Sequence, residues 1–162
     1  MRACDYYAEF ERPKIIYPNI CKQPEFTFDV AKRYTNQKCF IISLDDKYLL
    51  GILNSSVTNF LFRTLLPKLR GDFFEPSYVY FKDFPIRLIN FSEPADKARH
   101  DRMVRLVESL LELHKFKATA KTQAEQEQLQ RQIAITDRQI DELVYELYNL
   151  TPDEIAVVEG QK

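Results

Sequence analysis

The chain holds few of the residues that punctuate or cross-link a fold: Gly 3, Pro 8, Cys 3 and no Trp in 162 residues. Cys4, Cys21 and Cys39 are odd in number and far apart. That excludes a disulfide framework and paired zinc-ligand spacing, and it fits a reducing cytoplasm. No window approaches the roughly 18 uninterrupted apolar residues of a membrane span. The best stretch, Tyr48 to Leu66, is broken by Asn54, Ser55, Ser56, Asn59 and Arg63, so no membrane partner is expected. The opening Met-Arg-Ala-Cys-Asp-Tyr-Tyr lacks the apolar segment of a secretory signal, and a cytoplasmic location is expected. Neither sign of charge dominates: 23 Lys/Arg stand against 24 Asp/Glu. What the chain does have is 45% apolar residues, with Tyr 9 and Phe 12. That is enough for a packed core and argues against wholesale disorder.

The near-zero total hides an asymmetry. Residues 1–90 carry 13 Lys/Arg against 10 Asp/Glu, a net +3, whereas residues 91–162 carry 10 against 14, a net −4. The cations of the first part fall in windows free of acids: Arg12, Lys14 and Lys22; Lys32, Arg33 and Lys38; Lys47, Arg63, Lys68 and Arg70. A polyanionic partner responds to such local fields more than to total charge.

The pattern of residues 1–90 predicts mixed α and β structure. Lys14–Ile20, Phe26–Asp29 and the β-branched, aromatic Lys38–Leu44 read as strands. Asp45-Asp46 offers a helix cap, and apolar residues at 49, 50, 53, 57, 60, 61 and 65 have helical spacing, predicting one helix over 47–66 that Pro67 ends. Leu69-Arg70-Gly71-Asp72 reads as a turn, and Ser77–Phe81 and Phe84-Pro85-Ile86 as strand pieces. After Pro94 the chain has neither Gly nor Pro as far as Asn149 and is rich in helix formers. A single rod of about 55 residues would measure some 80 Å. The capping-box sequence Thr122-Gln123-Ala124-Glu125 instead predicts a break into two antiparallel helices, and Thr151-Pro152-Asp153-Glu154 starts a short terminal helix over 153–159. The fold class expected is α+β. A small mixed α/β domain over 1–90 precedes a helical hairpin with a short C-terminal helix over 91–162.

Catalytic signatures are few. There is no P-loop, nucleophile elbow or metal-binding His helix, and Tyr17-Pro18-Asn19-Ile20 is not the Asn-Pro-Pro-Tyr-like motif of an adenine methyltransferase. His100 and His114 read as surface or interface residues. One arrangement imitates a Mg²⁺-dependent nuclease, in which Asp29 and Asp45 would hold the ion and Lys47 would steady water or phosphate. The bland reading of Asp45-Asp46 is a helix cap. A helical protein-interaction scaffold built on 95–160 is a further alternative. The first part also offers cations interleaved with polar and aromatic residues: Arg33, Asn36 and Lys38 in one polar loop, and Lys68 and Arg70 beside Gly71. Such residues anchor phosphates and reach base edges, and Gly71 lets the backbone approach a ligand closely.

The order Pro13-Lys14-Ile15-Ile16-Tyr17-Pro18-Asn19-Ile20, Phe26-Thr27-Phe28-Asp29, Cys39-Phe40-Ile41-Ile42, Tyr48-Leu49-Leu50-Gly51-Ile52-Leu53-Asn54-Ser55, Leu69-Arg70-Gly71 and Phe84-Pro85-Ile86 resembles the TaqI-like C-terminal specificity domain. That module is the target-recognition domain of fused (type IIG) restriction–modification enzymes and is similar to the recognition domains of type I specificity subunits. The stretch from Ile140 to Thr151, with Glu154-Ile155 and Val158-Glu159-Gly160, is similar to the tail of the same enzymes. The resemblance implies a non-catalytic module that binds double-stranded DNA. Its partner would be an adenine methyltransferase or endonuclease domain or subunit, which would bind S-adenosylmethionine and, for a nuclease, Mg²⁺; this chain itself would hold no metal or cofactor. It also implies DNA contacts at Lys68, Arg70 and Lys82. Asp72 stands where a second Gly is common, and Glu75-Pro76-Ser77 where basic residues are common. Set against the family, the recognition domain over 1–90 is expected to lack its first part.

Overall fold

In the computed structural model, residues 6–160 are described; Cys4 and the rest of the opening Met-Arg-Ala-Cys-Asp lie outside them. The chain is α+β and divides into two compact units. One holds the residues up to Asn54 together with Thr58–Pro85, the other Ser55–Val57 and the chain from Ile86.

In the first unit a short helix α1 (Tyr7–Phe10) leads into β1 (Lys14–Pro18), the centre of an antiparallel three-stranded sheet of order β2-β1-β3, with β2 Thr27–Asp29 and β3 Cys39–Ile42. Ile15 pairs with Phe28 on one side and Ile42 on the other. The alternation of β1 buries Ile15 and Tyr17. Lys14 is also fully buried, which a surface lysine in an acid-free window would not be. Its ammonium donates to Asp29 Oδ2 at 2.7 Å and to the Phe10 carbonyl at 2.8 Å, closing α1 and the first β1–β2 pair around one charge.

The apolar stripe over 47–66 does not form a single helix. Helix α2 (Lys47–Leu53), capped by Asp46 accepting from the Leu49 amide at 2.9 Å, stops at Asn54, and α3 (Ser56–Leu65) begins anew. Asn54 explains the break. Its side chain accepts from the Phe26 amide at 3.0 Å and donates to the Phe26 carbonyl at 2.9 Å, completing a backbone that has no strand neighbour there. The Thr58 hydroxyl takes the Ile52 carbonyl that a continuous helix would have used. Beyond α3, β4 (Lys68–Leu69) and β5 (Phe73–Phe74) form a hairpin.

Two expected strands are corrected. Ser77–Phe81 contains one helical turn, α4 (Tyr78–Phe81), and Phe84-Pro85-Ile86 forms no strand. The Ser77 carbonyl accepts from the Tyr80 and Phe81 amides. This turn drives Phe81 into an aromatic core with Tyr17, Phe26 and Phe84, at centroid separations of 5.0–5.6 Å. Phe62, fully buried, meets Phe26, Phe74 and Phe84 edge-on. Such pairs add about 0.5–1.5 kcal/mol each beyond area burial.

The second unit is built on α5 (Pro94–Thr119) and α6 (Gln123–Leu147), followed by α7 (Pro152–Val158). Arg99 pairs with Glu146 near the start of α5, and Lys117 bonds Gln130 near its end, so the two helices run antiparallel. Reciprocal capping boxes, Thr122 with Glu125 and Thr151 with Glu154, start α6 and α7. Asn149, at φ 51°, ends α6: its amide and that of Leu150 return to the Glu146 and Tyr145 carbonyls. That is a Schellman motif with Asn in the left-handed position. The Asp141 carboxylate accepts from the Ser56 amide and hydroxyl, each at 2.7 Å.

Asp29→Asn leaves the buried Lys14 ammonium without its counter-charge and is expected to cost about 3–5 kcal/mol in urea unfolding at pH 7, whereas Lys14→Met, after which Arg33 still bonds Asp29, is expected to cost less. Burial works to raise the Asp29 pKa, but the Lys14 bond, the Arg33 amide, the Lys14 charge and the Ala31 amide together hold it below the ordinary 3.8. A depressed folded pKa stabilises above the ordinary value and loses that contribution as pH falls through the lowered one. The stability gap between wild type and Asp29→Asn is therefore expected to be full at pH 5–7 and to close on acidification below about pH 4. A gap that persists unchanged in acid would contradict this account.

Candidate nucleic-acid interface

Three residues, Arg70, Gly71 and Asp72, turn the β4–β5 hairpin, whose pairs are Lys68 with Phe74 and Leu69 with Phe73. Gly71 (φ 84°) and Asp72 (φ 61°) both lie in the left-handed region, which Gly enters freely and Asp more readily than most residues. A Cβ at Gly71 would lie 3.4 Å from the Phe73 ring, an ordinary contact, so the left-handed backbone is what favours Gly there.

The hairpin is tied to the rest of the unit through main-chain bonds. The Cys21 amide donates to the Phe74 carbonyl at 3.1 Å and the Phe74 amide to the Cys21 carbonyl at 2.7 Å. Two residues earlier, the Asn19 amide donates to the Lys38 carbonyl at 2.9 Å. Lys38, Asn19, Cys21, Phe74 and Lys68 thus follow one another along the segment that leaves β1. Cys21 is buried beneath this join, and desolvation followed by the charge of Glu25 pushes its thiol up to about 11, so it stays protonated and unreactive.

Around the tip stand three cations and one carboxylate. Lys68 Nζ lies 2.7 Å from Asp72 Oδ1, and Lys22 Nζ sits 5.0 Å from the centroid of the Phe73 ring. The Lys68 bond and charge hold the Asp72 carboxyl below its usual value, with Lys22 adding to the effect. Arg70 is exposed and makes no hydrogen bond or ion pair among the described residues.

The expected contact residues are not all gathered here. Lys68 and Arg70 share the hairpin, and Lys38 joins them at the same end of β1. Arg33 belongs to the opposite end, which Lys14 to Pro18 separates by about 13 Å of strand. Its guanidinium and amide both bond the buried Asp29 at 2.8 Å, and its own side chain is exposed. The Asn36 side chain accepts from the Lys38 amide at 3.0 Å and its carbonyl from the Cys39 amide at 3.1 Å, forming the turn that presents Lys38. Lys82 is exposed at the end of α4, where Tyr78, Val79 and Tyr80 are exposed too. Lys22 was legible only as part of a basic window, because its place depends on the Cys21–Phe74 pairing across 53 residues of chain.

The nuclease arrangement is not assembled. Both Asp29 oxygens are engaged by Lys14, Arg33 and Ala31, and Asp46 caps α2. Lys47 Nζ lies 5.5 Å from the centroid of the Phe28 ring. Among the described residues no group of three or more His, Cys, Asp or Glu side chains is placed to share a metal ion, and no helix is long and apolar enough to cross a membrane.

Residues 3–86, just over half of the chain, match the family model of the TaqI-like C-terminal specificity domain, and the chain belongs to that family of DNA-recognition modules of restriction–modification enzymes. No curated protein matches it.

Gly71→Ala adds a Cβ where the backbone is left-handed and the Phe73 ring is near. It is expected to destabilise the protein by about 1–2 kcal/mol in urea unfolding, whereas Gly71→Asn, which tolerates that backbone, is expected to cost less.

Proposed function

We propose that the chain is the target-recognition module of a restriction–modification system whose catalytic part is an adenine-specific DNA methyltransferase, with or without endonuclease activity. The chain binds duplex DNA and positions a catalytic domain or subunit. The observation that carries this reading is the hairpin in a chain of this family: Lys22, Lys68 and Arg70 gather at one exposed tip, and Lys38 is tied to the same end of β1.

In this reading lysines anchor phosphates, while Arg70, free and planar, suits bidentate contact with a guanine edge in the major groove. The hairpin is slender, and a two-stranded ribbon fits that groove. Lys82 extends the cationic surface. S-adenosylmethionine, and Mg²⁺ for a nuclease, belong to the catalytic partner. Residues 91–162, net −4, repel phosphate and suit a protein face, so the helical unit docks the partner.

Binding of fluorescent duplex DNA by the full chain, followed by anisotropy, is expected to weaken steeply with salt, because phosphate contacts release counterions. Lys68→Ala is expected to weaken binding to all sequences alike and to reduce the slope of log affinity against log salt by about 1. Arg70→Ala is expected to lower discrimination between sequences more than overall affinity. Arg33→Ala is expected to lower the urea midpoint and leave the salt slope unchanged. Salt-independent binding would count against the reading.

A further inference from the structure

A carboxylate at the centre of a DNA-binding tip calls for its own explanation. Asp72 repels phosphate, so it weakens the general attraction that Lys22, Lys68 and Arg70 supply. Its ion pair with Lys68 is no compensation in stability, because both side chains are largely exposed, 65% and 77%, and such pairs add little. A left-handed φ of 61° is held more readily by Gly. Neither charge pairing nor backbone preference thus accounts for an acid at this position.

Resting on the function proposed above, we propose that Asp72 is a specificity-determining residue that accepts a hydrogen bond from the exocyclic amine of a cytosine in the target duplex. The geometry favours this over a neutralising role. Asp72 stands two residues from Arg70 across Gly71, in the three-residue turn that joins β4 to β5. Lys68, bonded to one carboxylate oxygen, and Lys22 nearby shield it from phosphates, and the second oxygen makes no hydrogen bond among the described residues. An ionised carboxylate only accepts.

The major groove then makes the choice. Guanine presents the acceptors O6 and N7, and thymine the acceptor O4; both repel it. Adenine has a donor at N6 but an acceptor, N7, beside it. Cytosine offers the N4 donor with no acceptor on its own major-groove edge. The cations that hold Asp72 thus turn a residue unfavourable for general DNA binding into a filter.

The test is selection of bound duplexes from a randomised pool by the full-length chain, wild type against Asp72→Asn and Asp72→Gly, with affinities measured on the selected and on unrelated duplexes. Wild type is expected to select sites with one fixed C·G pair and to lose about tenfold in affinity when that pair is changed. Both variants are expected to lose this preference while binding unrelated duplexes severalfold more tightly, since a negative charge is gone. Gly relieves the backbone, so a folding defect would not account for its result. If the variants select the same site with the same discrimination, Asp72 is only the charge partner of Lys68 and the inference falls, while DNA recognition stands provided Lys68→Ala still weakens binding. If wild type binds no duplex even at low salt, the inference and the proposed function fall together.

Discussion

A lysine ammonium withdrawn from water and closed against a carboxylate joins the central strand of the sheet to its neighbour. Lys14 heads the central strand, and its charge is met by Asp29 on the neighbouring strand and by the Phe10 carbonyl at the end of α1. Asp29 in turn collects the Arg33 guanidinium and the Arg33 and Ala31 amides, so one carboxylate fixes the entry to β1, the register of β1 with β2 and the course of the chain beyond β2. A one-residue slip would expose Ile15 and bury unpaired charge. Hydrophobic packing stabilises this unit, and the buried pair penalises arrangements that would leave either charge unmatched.

From that fixed end the strand runs toward the segment that carries the candidate interface. Lys14 and Arg33 are consumed in the charge cluster, while Lys38, Lys68 and Arg70 associate with the chain that leaves β1 at the other end. Cations that look alike in the sequence thus divide by bond partner: buried Lys14 and exposed Arg33 both bond Asp29, while Lys38, Lys68 and Arg70 stand at the other end. Those partners are not visible in composition.

What the sequence disclosed follows the range of the interactions involved. The starts of α6 and α7 were legible because a capping box is complete within four residues, and the Arg70–Gly71 turn because glycine marks a left-handed backbone locally. The break between α2 and α3 was hidden: Asn54 stops the helix by bonding Phe26, 28 residues away. Residues 78–81 have strand propensity but no strand to pair with, and the demand of the aromatic core for Phe81 turns them into a helix. Asp29 read as a metal ligand because it is a carboxylate near a loop; in the fold its two oxygens are bonded by Lys14, Arg33 and Ala31. Lys22 was missed because only the pairing of Cys21 with Phe74 brings it to the hairpin.

The join that holds the hairpin consists of amides and carbonyls, Cys21 with Phe74 and the short β4–β5 ladder. Backbone groups are common to nearly all residues, so these bonds do not depend on the side chains at positions 70 and 72, whereas left-handed Gly71 and buried Phe74 are fixed by conformation and packing. Arg70 and Asp72 are exposed and contribute little to the core. Under the function proposed above, changing those two residues would alter recognition with the interior left intact.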